Sequence, residues 1–306
     1  MLSGFVSFTV YLGSGGYCRD IFKNEAACLG TTLAGAGAEI VYGGMDAGLM
    51  GLLAKHTRDS GGHVTGVIPR SLKDSERIYH DISETVLVDS LWHRKQVMFE
   101  RGDAVIAMPG GFGTLDEALE VLYWGTLGHH AKPLILLNID GYWDDILNYL
   151  YDSVRSENVS PSLLDYLLVI ETTAELEPAL ELWQTPASTD PRPAAELPHF
   201  EDSIMNGADT PIIIDNGSLG QIYQLFTALT LRQLGAHTRP IGILDESGFT
   251  RPLLHWIERA EDERFLTPHC RDLFSVADNM PDLASEMEAH APVAIDLHKD
   301  KWGGSV

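Results

Sequence analysis

Met108-Pro109-Gly110-Gly111-Phe112-Gly113-Thr114-Leu115-Asp116-Glu117 is the stretch around which the chain is organised. The apolar run Ala104-Val105-Ile106-Ala107-Met108 enters it and reads as a fully buried strand. Leu115, Ala118, Leu119, Leu122 and Tyr123 leave it at spacings of three and four, the pattern of a helix. Between strand and helix stand three glycines and Thr114, with little side chain to keep a ligand away. Missing Cβ atoms let main-chain N–H groups come close to an anion. At a helix N-terminus the dipole adds to that attraction. Strand, glycine turn and helix together predict a phosphate cradle. Thr114-x-x-Glu117 also fits the capping box, in which Thr114 caps the helix and Glu117 reaches back to it. The pattern alone leaves both readings open.

Upstream, Phe5 to Leu12 reads as a first strand ending in Gly13-Ser14-Gly15-Gly16, with a helix following to about Ala36. A dinucleotide loop is one reading of those glycines, but the match to G-x-G-x-x-G is imperfect. The next strand, Ala38 to Tyr42, ends in Gly43-Gly44 and not in the acidic residue that would hold an NAD ribose. A helix from Ala47 to about Ser60, the strand Val64 to Ile68 and a loop-rich segment from Arg70 to Ile82 continue the chain. Then come Thr85 to Val88, a helix opening near Asp89-Ser90, and the central strand. Lys132 to Asn138 and Leu167 to Ile170 are further strands, and Ala174 to Trp183 is a closing helix. Such alternation predicts an α/β fold, a Rossmann-like, doubly wound parallel sheet.

Residues 184–198 are Pro-rich and aperiodic, and read as a linker. Beyond it the chain repeats itself. A shift of 107 residues lays Gly110 on Gly217, Gly113 on Gly220, Leu127-Gly128 on Leu234-Gly235 and His130 on His237. Pro133, Gly141, Pro161 and Val169 fall on Pro240, Gly248, Pro268 and Val276 without a gap. A register of that length predicts a second copy of the later half of the first domain. The expected organisation is a domain over 1–183, the linker, and a half-repeat over 199–306. Asn216, Gln221 and Gln224 replace Pro109, Thr114 and Glu117 in the copy, which is therefore expected to be catalytically empty.

The formal charge of −23 disfavours nucleic acid and anionic membranes as partners. No apolar run reaches the length of a membrane span, and Met1 to Val10 lacks the basic start of a signal peptide. Cys18, Cys28 and Cys270 are odd in number and scattered, as in a reduced cytoplasmic protein. The histidines show no ligand spacing, so no metal is expected.

Pro109-Gly110-Gly111-x-Gly113-Thr114-x-x-Glu117 resembles Pro-Gly-Gly-x-Gly-Thr-x-x-Glu, the signature of the LOG ("Lonely Guy") family of nucleoside 5′-monophosphate phosphoribohydrolases. The resemblance covers residues 7 to about 155. Tyr42-Gly43-Gly44 with Gly48-Leu49-Met50-Gly51 is similar to the family's second-strand motif, and Gly66-Val67-Ile68-Pro69 to its third-strand ending. Arg94-Lys95 matches the end of Met-His-x-Arg-Lys, although Leu91 and Trp92 stand where that motif has Met and His. Met45-Asp46 follows Gly44 where a third glycine is common.

The resemblance implies hydrolysis of the N-glycosidic bond of a nucleoside 5′-monophosphate, AMP or an N6-modified AMP of cytokinin type, without a cofactor. It casts Glu117 and Arg94 as catalytic. Gly110, Gly111, Gly113 and Thr114 would anchor the phosphate, with Gly13, Ser14 and Lys95 also in the substrate site. It further implies a homodimer associating through the helices after the glycine turn, a contact the half-repeat is expected to imitate. Simpler readings stand beside these. Arg94 would be a surface partner of Glu100 or Asp103, Trp92 a core or interface aromatic, and Asp116 and Glu120 a solvated or interface face. The rival functions are a non-catalytic nucleotide- or anion-binding protein on the same scaffold and a pyridoxal-dependent lysine decarboxylase.

Overall fold

The computed structural model describes residues 2–70, 78–207, 210–289 and 295. Most of the Arg70–Ile82 loop therefore lies outside the described residues. Seven strands form one sheet: β1 (Ser7–Tyr11), β2 (Glu39–Tyr42), β3 (Val64–Pro69), β4 (Glu84–Val88), β5 (Ala104–Ala107), β6 (Leu134–Leu137) and β7 (Leu167–Ile170). Their order is β4-β3-β2-β1-β5-β6-β7, and every pairing is parallel. This is the doubly wound α/β sheet. The order reverses between β1 and β5, where Tyr11 pairs with Ala107. Ligands of such sheets bind outside the strand carboxyl ends at that reversal.

Every residue of β5 is buried, because helices cover both faces of a parallel sheet and leave no side for water. Helices α1 (Asp20–Gly35) and α2 (Gly48–Asp59) pack on each other. Helix α3 (Leu91–Arg101) starts at Ser90, whose hydroxyl accepts the His93 N–H at 3.0 Å. Its last carbonyls are held by Lys132, whose Nζ donates to the carbonyls of Phe99 and Gly102, each at 2.6 Å. Helix α4 (Phe112–Thr126) is buried nearly all round, sheet on one side and a further helix on the other. Helices α5 (Asp144–Arg155) and α6 (Leu176–Leu182) complete this part.

Residues 184–198 connect the two parts but lie against the first of them. Asp190 N–H donates to Gly128 (3.0 Å), Ala194 N–H to Glu100 Oε1 (3.2 Å), and Trp124 Nε1–H to the Pro198 carbonyl (2.8 Å). After α7 (Glu201–Met205), a second parallel sheet has the order β10-β9-β8. Its strands are β8 (Ile212–Ile214), β9 (Ile241–Leu244) and β10 (Ser275–Ala277). Helices α8 (Leu219–Gln233), α9 (Arg251–Asp262) and α10 (Met280–Ala289) accompany it. Helix α8 packs on α4 and α9 on α5. The stripe Ile222, Leu225, Phe226 and Leu229 of α8 is buried throughout. Phe226 and Trp256 meet Phe112 there, joining the apolar interiors of the two parts.

Candidate active site

Two glycine turns meet at the β1/β5 reversal. Gly13 N–H donates to the Pro109 carbonyl at 3.1 Å, and Leu49 N–H donates to the Gly13 carbonyl at 3.1 Å. A Cβ on Gly110 would overlap the Thr114 hydroxyl and come within 3.0 Å of the Gly13 nitrogen. Only glycine fits at 110. The Tyr142 hydroxyl donates to the Gly110 carbonyl and fixes that side of the turn. Ser14 is buried on the same turn as Gly13.

The N-cap of α4 is Gly111, and no side chain caps it. The helix begins at Phe112, so Thr114 lies inside its first turn and the Thr114–Glu117 capping box does not form. The cause is the Gly-Gly pair, whose backbone enters the helix before Thr114 is reached. The first N–H groups of α4 have no intrahelical acceptor, and the positive end of the helix dipole lies among them. That arrangement suits a phosphate.

Glu117 stands further along α4, buried. Burial pushes its carboxyl up to about 7, opposed by the charges of Arg94 and Lys95 and helped by Asp116. A carboxyl poised there changes charge near neutrality, as a general base or an anionic stabiliser must. Arg94, on α3, is half-buried and donates its Nε–H to the Val67 carbonyl at 3.2 Å. Its Nη2 packs over the Cα of Gly43. The surface partners that a simpler reading offered it are occupied. Asp103 accepts the N–H groups of Val6 and Ser7, and Glu100 accepts that of Ala194.

Lys95 is elsewhere. Its ammonium is buried between Asp116 (3.2 Å) and Glu120 (3.0 Å), both on α4. Burial opposes its charge, but the two carboxylates outweigh that and hold its pKa above the ordinary value. Across the seam, Thr227 donates to Asp116 Oδ1 at 2.6 Å and the Tyr223 hydroxyl donates to Glu120 Oε1. Asp116 and Glu120 therefore form a buried interface face, and Lys95 reaches Glu117 by charge only.

Tyr11 is a residue that sequence reasoning passes over, because the last position of an apolar strand reads as core. It shares a strand face with Thr9, whose hydroxyl donates to the Met98 carbonyl of α3. The Tyr11 hydroxyl is buried and has no hydrogen-bond partner among the described residues. Burial first and the negative charge of Glu117 second raise its pKa well above the ordinary tyrosine value. Trp92 is an interface aromatic, stacked on His199 with ring centroids 4.0 Å apart. No group of metal-binding side chains occurs among the described residues.

A separate depression of about 390 Å³ opens where Arg19 meets α9. Its walls carry five carboxylates against two arginines, and Arg19 is already paired with Asp140 and Glu263, so the excess charge there is negative and disfavours phosphate. The glycine turns are the better candidate on electrostatic grounds.

A family model described as "Possible lysine decarboxylase" matches residues 50–180 and 202–287. A probable cytokinin riboside 5′-monophosphate phosphoribohydrolase of Oryza sativa subsp. japonica is 39% identical over 179 residues, 58% of this chain and 85% of that protein. A cytokinin riboside 5′-monophosphate phosphoribohydrolase of Arabidopsis thaliana is 37% identical over 179 residues, 58% of this chain and 83% of its own length. Among solved structures, a molybdenum cofactor binding protein of Rippkaea orientalis aligns with a TM-score of 0.43 and 22% identity, covering 57% of this chain and 93% of that one. With the Pro-Gly-Gly turn, Arg94 and Glu117 in place, the chain belongs to the LOG family.

Proposed function

We propose that this protein hydrolyses the N-glycosidic bond of a nucleoside 5′-monophosphate, AMP or an N6-modified AMP, giving the free base and ribose 5-phosphate. One observation carries the reading: a buried carboxyl, Glu117, lies on α4, the helix that opens from the glycine cradle, and feels the charge of Arg94 on α3. The N–H groups of Gly110, Gly111, Gly113 and Thr114 hold the phosphate, with Gly13 and Ser14 closing the crevice from β1. Phosphate binding fixes the distance from the cradle to C1′ and so positions the bond to be cut.

As the C1′–N bond breaks, positive charge develops on the sugar, and the Glu117 carboxylate stabilises it. Glu117 also orients the attacking water and takes its proton as the C1′–O bond forms. The departing base carries away the electron pair of the broken bond and, in net, the proton that Glu117 took from the water, which returns the carboxylate to its starting state. Arg94 presents a planar fork to the phosphate or the sugar hydroxyls. A protein that only captured nucleotides would have no use for a carboxylate in this place, which argues against the binding-only alternative.

Decarboxylation through pyridoxal phosphate needs a lysine free to form a Schiff base. Lys95 is held by two carboxylates, and Lys132, drawn down to about 8 by burial, donates to main-chain carbonyls. Lys23 and Lys55 pair with Asp20 and Asp59. Among the described lysines, these environments do not fit the cofactor. No helix among the described residues is long and apolar enough to cross a membrane, and all three cysteines are free thiols, so the compartment we propose is the cytoplasm. The test is incubation with a panel of nucleoside 5′-monophosphates, reading free base and ribose 5-phosphate. Release from an adenine nucleotide supports the reading; binding without release across the panel supports the alternative.

A further inference from the structure

The contacts between α4 and α8 share one antiparallel register. Gly113 faces Thr230, Asp116 meets Thr227, Glu120 meets Tyr223, and Tyr123 faces Gly220. Thr230 stands 107 residues beyond Tyr123, Thr227 beyond Glu120, Tyr223 beyond Asp116 and Gly220 beyond Gly113. Each contact is thus present together with its reverse. Such reciprocity is the property of an isologous contact between two copies of one surface. The same offset relates whole elements: α4 to α8, α5 to α9, and β6 to β9, residue for residue at both ends. It relates small details too. His130 bonds the Val121 carbonyl and accepts the Lys132 N–H, while His237 bonds the Ala228 carbonyl and accepts the Arg239 N–H.

The two sides of the seam differ where charge is concerned. The first presents Asp116 and Glu120 with Lys95 between them; the second presents Tyr223 and Thr227, and residues 199–289 contain no lysine. Had the second side kept carboxylates, four would share one ammonium. Hydroxyls leave two, each receiving a hydrogen bond. The glycine turn of the second unit is also closed. Gln221 Oε1 accepts the N–H groups of Asp215 (2.9 Å) and Asn216 (3.0 Å), Asn216 Oδ1 accepts that of Ser218 (3.0 Å), and Ser218 Oγ accepts that of Gln221 (3.4 Å). Ser218 and Gln221 stand 107 residues beyond Gly111 and Thr114, so two of the N–H groups that would face a phosphate in the first unit are satisfied by side chains here. Finally, the second unit lays Phe265 and Leu266 on the working turns. A Cβ on Gly13 would lie 2.6 Å from the Phe265 ring, and one on Gly111 would lie 2.9 Å from the Phe265 carbonyl.

We propose that residues 199–289 are a truncated second copy that serves as a built-in partner subunit. They occupy the α4 and α5 face on which a second chain would otherwise dock, so the protein works as a monomer with one nucleotide site per chain. A surface of net charge −23 adds self-repulsion against any further pairing.

The test uses the full chain and reads mass and stability, not activity, so it stands or falls apart from the reaction proposed above. Sedimentation equilibrium from micromolar to hundreds of micromolar should return 33.6 kDa throughout. A mass of two chains at any of these concentrations overturns the proposal. The double variant Tyr223→Asp/Thr227→Glu gives α8 the residues of α4 and adds two buried carboxylates against one lysine. Its unfolding midpoint should fall by ~10 °C, as for an unpaired buried charge. A second variant guards against simple misfolding: adding Asp116→Tyr and Glu120→Thr exchanges the residues across the pseudo-twofold and restores the charge count. Recovery of most of the lost stability supports the reciprocal seam. An unchanged midpoint in the double variant, or no recovery in the quadruple one, overturns it.

Discussion

The guanidinium of Arg94 lies over Gly43 so closely that a side chain at position 43 would overlap its Nη2 atom. Gly43 does not need glycine for its backbone, since its φ is not positive. It needs glycine for the space. Gly43→Ala should therefore fold normally and displace the end of Arg94. Turnover should fall by about 10²-fold, the scale of a small misplacement of a catalytic group, with the unfolding midpoint little changed. Steady-state kinetics on the variant check this; near-normal turnover would mean that Arg94 is not held for catalysis.

The Glu117 carboxyl, pushed up to about 7 by burial, must be ionised to act. The profile of kcat/KM against pH should accordingly rise through about pH 7 and level off above it. Arg94 pulls that pKa down, so Arg94→Ala should move the rise to higher pH as well as lowering the rate. Arg94→Lys keeps the charge and should leave the rise near its original position. If both variants leave the profile where it was, Arg94 and Glu117 are not electrostatically coupled.

The same burial makes a stability prediction. A carboxyl held at about 7 in the fold against an ordinary 4.5 is stable when neutral and is penalised once ionised. The folded state binds the proton more tightly, so stability is full below about pH 4.5 and is lost as pH rises to about 7. Glu117→Gln removes that loss. It should be more stable than the parent at pH 8, by on the order of 3 kcal/mol, with the difference closing towards pH 5. Denaturant unfolding at the two pH values measures it, and a pH-independent difference would count against a buried, titrating Glu117.

Tyr11 carries a buried hydroxyl without a hydrogen-bond partner among the described residues, on the strand face shared with Thr9, and the charge of Glu117 acts on it. Tyr11→Phe keeps the ring and removes only the hydroxyl. Lower turnover, by about tenfold or more, is expected if that hydroxyl bonds the substrate or the water in the transition state. Unchanged kinetics would leave Tyr11 as a core aromatic.

Much of this molecule can be read along the chain, where its causes are local. The strand Ala104–Ala107, the glycine turn and the helix behind it lie within about twenty consecutive residues, and their pattern carries them. The stripe of Ile222, Leu225, Phe226 and Leu229 is equally local. What escapes sequence reading is set by partners far away. Lys95 belongs to the same Arg-Lys pair as Arg94, yet one helical step turns it towards Asp116 and Glu120. The hydroxyls of Tyr223 and Thr227, more than a hundred residues on, complete that cluster. Thr114 and Glu117 satisfy a capping pattern, but Gly111 has already started the helix. Residues 184–198 look like a free tether because proline hides the hydrogen bonds they make to Gly128, Trp124 and Glu100.

Glu117 is proposed to do chemistry at a site where the glycine turn does the binding. The most direct measurement pairs calorimetric binding with single-turnover cleavage, on whichever adenine nucleotide the parent protein hydrolyses, for the parent and for Glu117→Gln. Glu117→Gln should bind the nucleotide with similar affinity and release free base at least about 10²-fold more slowly. Gln224→Ala, the matching change in the second unit, should alter neither quantity. Cleavage by Glu117→Gln at a near-parental rate would contradict this, because the carboxyl would then not be the catalytic group.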